Sequence, residues 1–309
     1  MKFAVNQYGL AHHYGDPAAI VRTAQLAESA GFDQFVVTDH VVMGEQVDQY
    51  PYGPWPTPLD FLWWEPMTVM AVVAGATRSL RLSTGVLLST LRPAALLAKQ
   101  AATLDQLSGG RLELGIGVGW QKTEFDAVGV EFATRKPYFI EQIRVMKRLW
   151  TEQHVTFQGE FHHFERAYCH PQPRQQGGVP LYVGIAPSDA NLPWIAELAD
   201  GWLPIDDDPA VYGPLITRVK EALRHAGRDP ERFTFRARLP IALGVDGQPN
   251  LRATFERLPE IERAGITQVE VYPIAYLRTN AADELEDLMA QCGELIGACR
   301  RATSGSSRD

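Results

Sequence analysis

The chain has 309 residues, of which 45% are hydrophobic and 21% charged, and its formal net charge at pH 7 is −8. This composition excludes the disordered and fibrous classes. The acid excess excludes a nucleic-acid partner, which needs clustered Lys and Arg to neutralise phosphates, and leaves a small molecule as the expected partner.

Short apolar runs rich in β-formers alternate with amphipathic helical runs, the pattern of βα units that build a parallel sheet. The segment MKFAVNQYGL enters a first strand over 3–7 without the apolar stretch of a signal peptide. A helix then opens at Asp16-Pro17, where Asp caps and Pro suits the first turn, and it stops at Gly31. The run 35–38 is the second strand. The long segment after it is rich in Pro, Trp and Tyr and leads to a helix over 66–77; loops of this length are usually functional. Strand three spans 80–88 and is followed by a helix over 93–107 that Gly109-Gly110 terminates. Strand four spans 111–118, with a helix over 136–150 behind it.

The stretch HVTFQGEFHHF, 154–164, alternates around a Gly-containing turn and reads as an inserted hairpin. Strands five to eight are expected at 181–185, 201–204, 233–243 and 269–272, with helices at 189–198, 210–226, 251–264 and 281–301. Eight βα units close a TIM barrel, (β/α)8, of the α/β class. An open doubly wound sheet is disfavoured because the first βα turn, NQYGLAHHYGDP, lacks the GxGxxG phosphate fingerprint. One catalytic domain over 1–302 and a flexible tail over 303–309 are expected. Cys169, Cys292 and Cys299 match neither a disulfide framework nor a metal knuckle, which fits a cytoplasmic protein. No run approaches the ~18 apolar residues of a membrane span, so no membrane partner is expected.

Barrel enzymes carry their sites at the C-terminal face, on strand ends and βα loops. That rule selects Asn6, Gln7, Tyr8, His12 and His13 after strand one, and Thr38, Asp39 and His40 after strand two. It also selects Val86 and Leu87 in strand three, Gly119 and Trp120 after strand four, and the segment Gly184-Ile185-Ala186-Pro187-Ser188 after strand five. Asp39-His40 is either a proton-exchanging site beside a ligand or a hydrogen-bonded pair that anchors the rim. The alternate glycines of GIGVGW, 115–120, admit either a flat ligand or close side-chain packing inside the barrel. Trp55, Trp63 and Trp64 with Tyr50 and Tyr52 suit a lid over an apolar substrate pocket, or equally a satellite cluster that packs the loop down. Tyr8, His13, Trp55 and Trp63 are the expected substrate-pocket residues. His162-His163 and Cys169-His170 have no third ligand at a metal-like spacing, so no metal is expected. No GxSxG or Ser-His-Asp signature is present, and the acidic run 206–208 reads as a solvated loop or helix cap.

The segments AGFDQFVVTDH, LRLSTGVLLSTLRPAALLAKQAATLDQLSGGRLELGIGVGW and ADGWLP resemble the luciferase-like monooxygenase superfamily, in particular its actinobacterial branch dependent on the deazaflavin coenzyme F-420. The resemblance implies a bacterial luciferase-like barrel with inserted loops, a homodimer, and a cofactor lying across the mouth. It implies oxidoreductase activity: hydride transfer between F-420 and a small organic substrate, with a reduced-FMN monooxygenase on the same scaffold as the alternative. A third reading is a non-catalytic barrel that acts as a binding protein. On the matching positions, Asp39 and His40 border the ring, with His40 as the catalytic proton carrier. Gly85-Val86 is the place of a non-proline cis peptide behind the ring, and Gly119-Trp120 lines the cofactor. The chain departs from its relatives after strand five, where they carry a glycine pair that cradles the cofactor phosphate. Here Pro187 donates no amide hydrogen bond, leaving Gly184, Ile185, Ala186, Ser188 and the following helix start for that role. Trp120 replaces the Glu of sugar-phosphate dehydrogenase relatives, so that substrate is not implied.

Overall fold

In a computed structural model that describes residues 1–305, the apolar runs are buried on both faces, as strands of a parallel sheet covered by helices must be. In chain order, β1 (Lys2–Asn6) is followed by α1 (Leu10–Tyr14) and α2 (Ala18–Ser29), and β2 (Gln34–Val37) by the long loop and α3 (Pro66–Ala76). Next come β3 (Arg81–Thr84), β4 (Leu87–Leu88) and α4 (Ala94–Ser108), then β5 (Leu112–Gly117), α5 (Lys122–Val128) and α6 (Arg135–Thr151). The hairpin β6 (Val155–Gln158) and β7 (His163–Ala167) leads to β8 (Leu181–Val183), α7 (Leu192–Leu198), β9 (Gly201–Trp202) and α8 (Pro209–His225). The chain finishes with β10 (Thr234–Arg238), α9 (Leu251–Phe255), α10 (Leu258–Arg263), β11 (Gln268–Val271) and α11 (Ala282–Gly305).

The sheet closes. All its pairings are parallel: β1 pairs with β2 and β11, β2 with β3, β3 and β4 with β5, and the ladder continues through β8, β9 and β10 to β11. Strands β3 and β4 share one barrel position, interrupted where the Gly85–Val86 peptide is cis. The architecture is therefore the eight-stranded barrel expected from the alternation.

Where elements differ from expectation, a local cause is visible. The helix expected over 251–264 is split into α9 and α10, with Pro259 in the first turn of the second piece, a position that needs no amide donor. Strand seven, expected over 233–243, stops at Arg238, and the chain turns back on itself in a Leu243–Pro249 bridge. Helix α11 runs on to Gly305, and the end of the expected tail, 306–309, lies outside the described residues. No helix among the described residues is long and apolar enough to cross a membrane.

The barrel interior is polar at its centre. Arg236 of β10 is almost fully buried; its Nη1 donates to Gln34 Oε1 at 2.6 Å and Ser83 Oγ at 2.7 Å, and its Nη2 to the Thr84 carbonyl at 2.6 Å. Its Nε lies 2.7 Å from Glu270 Oε1. Glu270 Oε2 accepts from Asn6 Nδ2 at 3.0 Å and from the Tyr272 hydroxyl at 3.3 Å. Gln268 Nε2 donates to Gln34 Oε1 at 2.8 Å, and Gln34 and Arg81 both donate to Glu113. Buried charges persist only when paired and hydrogen-bonded in this way.

This packing decides between the two readings of GIGVGW at its first glycine. A Cβ on Gly115 would sit 2.1 Å from the Thr84 carbonyl oxygen and 3.0 Å from Arg236 Nη2. Gly115→Ala is expected to cost about 1–3 kcal/mol, the usual effect of overpacking a filled core. Urea denaturation that showed no loss would mean the β3–β5 spacing relaxes freely.

Candidate functional site

At the C-terminal mouth, the end of β2 places two consecutive residues, Asp39 and His40, in different roles. Asp39 points sideways: its Oδ2 accepts the Leu88 amide at 2.9 Å and Arg92 Nη1 at 2.7 Å, and its Oδ1 accepts Arg92 Nη2 at 3.1 Å. Arg92 Nη2 also reaches Glu65 Oε1 at 3.1 Å, and Glu65 caps α3 by accepting the Thr68 amide. Burial works against the Arg92 charge, but Asp39 and Glu65 outweigh it and hold the guanidinium protonated. Asp39 and Arg92 thus brace both ends of the 40–65 loop, and the Asp39 carboxylate is not free for a ring at the mouth.

His40 turns the other way. Its Nδ1 lies 3.0 Å from Glu124 Oε2, and Glu124 Oε1 accepts the Val41 amide at 2.9 Å. Three residues on, the Gln121 side chain bonds Gly44 in both directions, accepting its N–H at 2.8 Å and donating to its carbonyl at 3.1 Å. Thr123 donates to Gln46 Oε1 at 3.1 Å. The first stretch of the loop is therefore fastened to the β5–α5 turn.

The rest of the loop folds its aromatic rings over His40. The imidazole meets Trp63 at 4.6 Å, Trp55 at 5.4 Å and Trp120 at 6.4 Å between ring centroids, each edge to face. Tyr50 packs on Trp55 at 4.9 Å and on Trp120 at 5.2 Å. Phe61 bridges Trp63 to Tyr8 and His12. The loop is thus a lid on the mouth rather than a cluster apart from it. The indole N–H groups of Trp55 and Trp63 are buried without a hydrogen-bond partner among the described residues, an arrangement that favours an acceptor on a bound molecule. Burial, with Tyr50 adding and Arg238 opposing, pushes the Tyr8 phenol up to about 12. Burial likewise raises Tyr50 and Tyr272. These phenols stay neutral donors across the working pH range.

Beside the end of β2, the Val86 methyls fill the places where two neighbouring glycines lack a Cβ. A Cβ on Gly117 would lie 2.8 Å from Val86 Cγ2, and one on Gly184 would lie 2.9 Å from Val86 Cγ1. Val86 is half-buried on this seat, whereas Leu87 belongs to the main core and offers only its backbone. Gly119, with φ +86°, rounds the exit of β5 above the Phe125 ring.

The loop after β8 differs from expectation. Helix α7 starts at Leu192 rather than 189, so Ser188 does not stand at its N-terminus. The Ser188 amide bonds the Ala186 carbonyl at 2.9 Å, and Asn191 Nδ2 bonds the same carbonyl at 2.8 Å. The loop is closed on itself, leaving the Ser188 hydroxyl and the amides of Ile185 and Ala186 as its donors toward a ligand.

His13 also departs from its expected place in the pocket. It bonds the Thr279 carbonyl at 2.8 Å through Nε2 and packs on Tyr14, while His12, one residue earlier on α1, faces Phe61. Successive helical positions diverge by about 100°, so only one of the pair reaches the lid. The His162 imidazole bonds Glu141 at 2.9 Å, and Glu141 also accepts the amides of Glu160, Phe161 and His162; together they rivet the hairpin to α6. Asp208 caps α8 by accepting the Ala210 amide. The site residues not foreseen are Glu124, Gln121, Arg92 and Phe61. Glu124 had a signal: a carboxylate one short turn beyond a strand-four exit already singled out.

The sequence profile described as luciferase-like monooxygenase matches residues 1–295. An uncharacterised protein of Mycobacterium tuberculosis is 32% identical over 270 residues, covering 85% of this chain and 90% of its own. Among solved structures, monooxygenase RslO1 from Streptomyces bottropensis has a TM-score of 0.75 at 21% identity, covering 97% of this chain and 100% of its own. An F-420-dependent secondary alcohol dehydrogenase, solved with an F-420–acetone adduct, has a TM-score of 0.74 at 19% identity, covering 96% and 98%. These two likenesses are of fold.

Proposed function

Since the chain belongs to the luciferase-like monooxygenase family, whose profile spans residues 1–295, we propose that it is an oxidoreductase transferring hydride between coenzyme F-420 and a small organic substrate at the barrel mouth. The observation that carries this reading is the Val86 seat: a flat apolar step made by seating one side chain where Gly117 and Gly184 lack theirs, one strand away from His40. A planar tricyclic ring fits such a step; a rounded ligand would leave voids.

When bound, the deazaflavin supplies two-electron chemistry, carbon standing where a flavin has nitrogen, so it reacts poorly with oxygen. The chain's own residues supply the rest. Val86 would back the ring, and the backbone at Gly119-Trp120 would border it. Thr38 and the Asp39 backbone would complete the β2 edge of the site, while Gly184, Ile185, Ala186 and the Ser188 hydroxyl would hold the tail. Trp55, Trp63, Trp120 and Tyr50 exclude water, which strengthens every polar contact inside. His40 Nε2, with no hydrogen-bond partner among the described residues, is the atom that holds or delivers a proton to the substrate. Tyr8 stands in the same aromatic wall as a neutral donor.

The fold likeness to an F-420 enzyme supports this choice of cofactor, and the likeness to a monooxygenase supports the second reading, a reduced-FMN monooxygenase working behind the same lid. Titrating the protein with F-420 and separately with FMN, while following tryptophan emission, separates them. F-420 is expected to bind and quench emission from Trp55, Trp63 and Trp120. Binding of FMN alone would overturn the F-420 reading in favour of the second, and binding of neither would favour a non-catalytic binding protein.

A further inference from the structure

Glu124 is a carboxylate with no access to water: its side chain is 0% exposed. Such a group costs several kcal/mol unless donors meet its oxygens. The Val41 amide meets Oε1 at 2.9 Å, and the one donor available to Oε2 among the described residues is His40 Nδ1, at 3.0 Å. Among the described residues no rival acceptor competes for that nitrogen. The other groups around the imidazole are the rings of Trp55, Trp63 and Trp120, and the adjacent Asp39 carboxylate is engaged by Arg92 and the Leu88 amide. A carboxylate oxygen accepts and has no hydrogen to offer, so Nδ1 is the donor of the 3.0 Å bond.

We propose that Glu124 is a positioning residue that fixes the tautomer of His40, keeping the proton on Nδ1 and presenting Nε2 to the barrel mouth. Because Oε1 holds the Val41 amide, the same carboxylate sets both the proton position and the ring orientation, the two properties a triad carboxylate sets for its histidine. The tautomer assignment stands on the geometry alone. Its catalytic consequence rests on the reading of His40 as the proton carrier.

The test uses the full chain with histidine labelled in ¹⁵N, the His40 resonances being assigned by their loss in His40→Gln. At about pH 8.5, roughly two units above the midpoint of free imidazole, Nδ1 of the wild-type ring is expected to carry its proton. In Glu124→Gln, whose amide offers either an oxygen or an N–H to Nδ1, the Nδ1 proton signal is expected to fall, and turnover of the loaded enzyme to drop by at least about 10²-fold with cofactor affinity unchanged. An unprotonated Nδ1 in the wild type, or a Glu124→Gln spectrum matching the wild type, would overturn the proposal; the first of these needs no variant to fold. Loss of the Nδ1 signal with turnover intact would support the tautomer assignment and instead remove His40 from the reaction.

Discussion

Replacing His40 with asparagine is expected to lower turnover about 10²- to 10⁴-fold, the usual contribution of a positioned proton donor or acceptor, while cofactor affinity stays close to that of the wild type. Asparagine is the informative choice. Its amide nitrogen falls near the place of Nδ1, so Glu124 keeps a donor and the buried carboxylate is not stranded, while nothing remains where Nε2 stood. Alanine would remove both functions and confound proton transfer with the cost of an unpaired buried charge. Single-turnover absorbance of the cofactor, with equilibrium titration of the same variant, separates chemistry from binding. Full turnover in His40→Asn would show that the proton travels by another route.

The largest stability effect is expected at Arg236. Arg236→Met removes the cation from Glu270 and leaves the carboxylate in the barrel with only Asn6 and Tyr272; it also removes a donor from Ser83 and the Thr84 carbonyl and one of the two donors to Gln34 Oε1, which keeps Gln268. Breaking one side of a buried pair costs about 3–5 kcal/mol. The double variant Arg236→Met, Glu270→Gln removes the stranded charge and is expected to recover a large part of that loss, because the cost lies in the unpaired ion rather than in the absent attraction. Urea denaturation of the wild type and both variants checks this. A single variant as stable as the wild type, or a double variant no better than the single, would contradict the role given to the pair.

Much of the fold was legible because each strand is a short apolar run bounded by turn residues and each long helix has its 3.6-residue period. The pieces that escaped are too short to show a period: α1 has five residues and α5 seven. At the site, the strand-end rule found Asp39, His40 and Val86, but it could not tell that adjacent Asp39 and His40 turn apart, since only the partners Arg92 and Glu124 decide that. The same rule selected both His12 and His13, and could not tell that His12 rather than His13 meets the lid. The barrel network escaped for another reason. Gln34, Glu113, Arg236, Gln268 and Glu270 sit in strands whose two faces are both buried, and alternation alone does not say which polar side chains of such a strand turn inward or which partners they meet there. In a closed barrel, inward is also a place for polar groups.

That network bears on how the chain assembles. Its bonds join Asn6 to Glu270, Gln34 to Gln268 and Gln34 to Arg236, pairs separated by 264, 234 and 202 positions. An oily interior would reward each strand as it arrives. Here, a chain folded only as far as β8 would bring Gln34 and Ser83 together before Arg236 or Gln268 could reach them, and buried polar groups without partners are penalised. Half-barrels therefore gain little, and closure waits for the last strand to dock. Contacts so distant in sequence make that step slow but leave few stable ways to stop short of it.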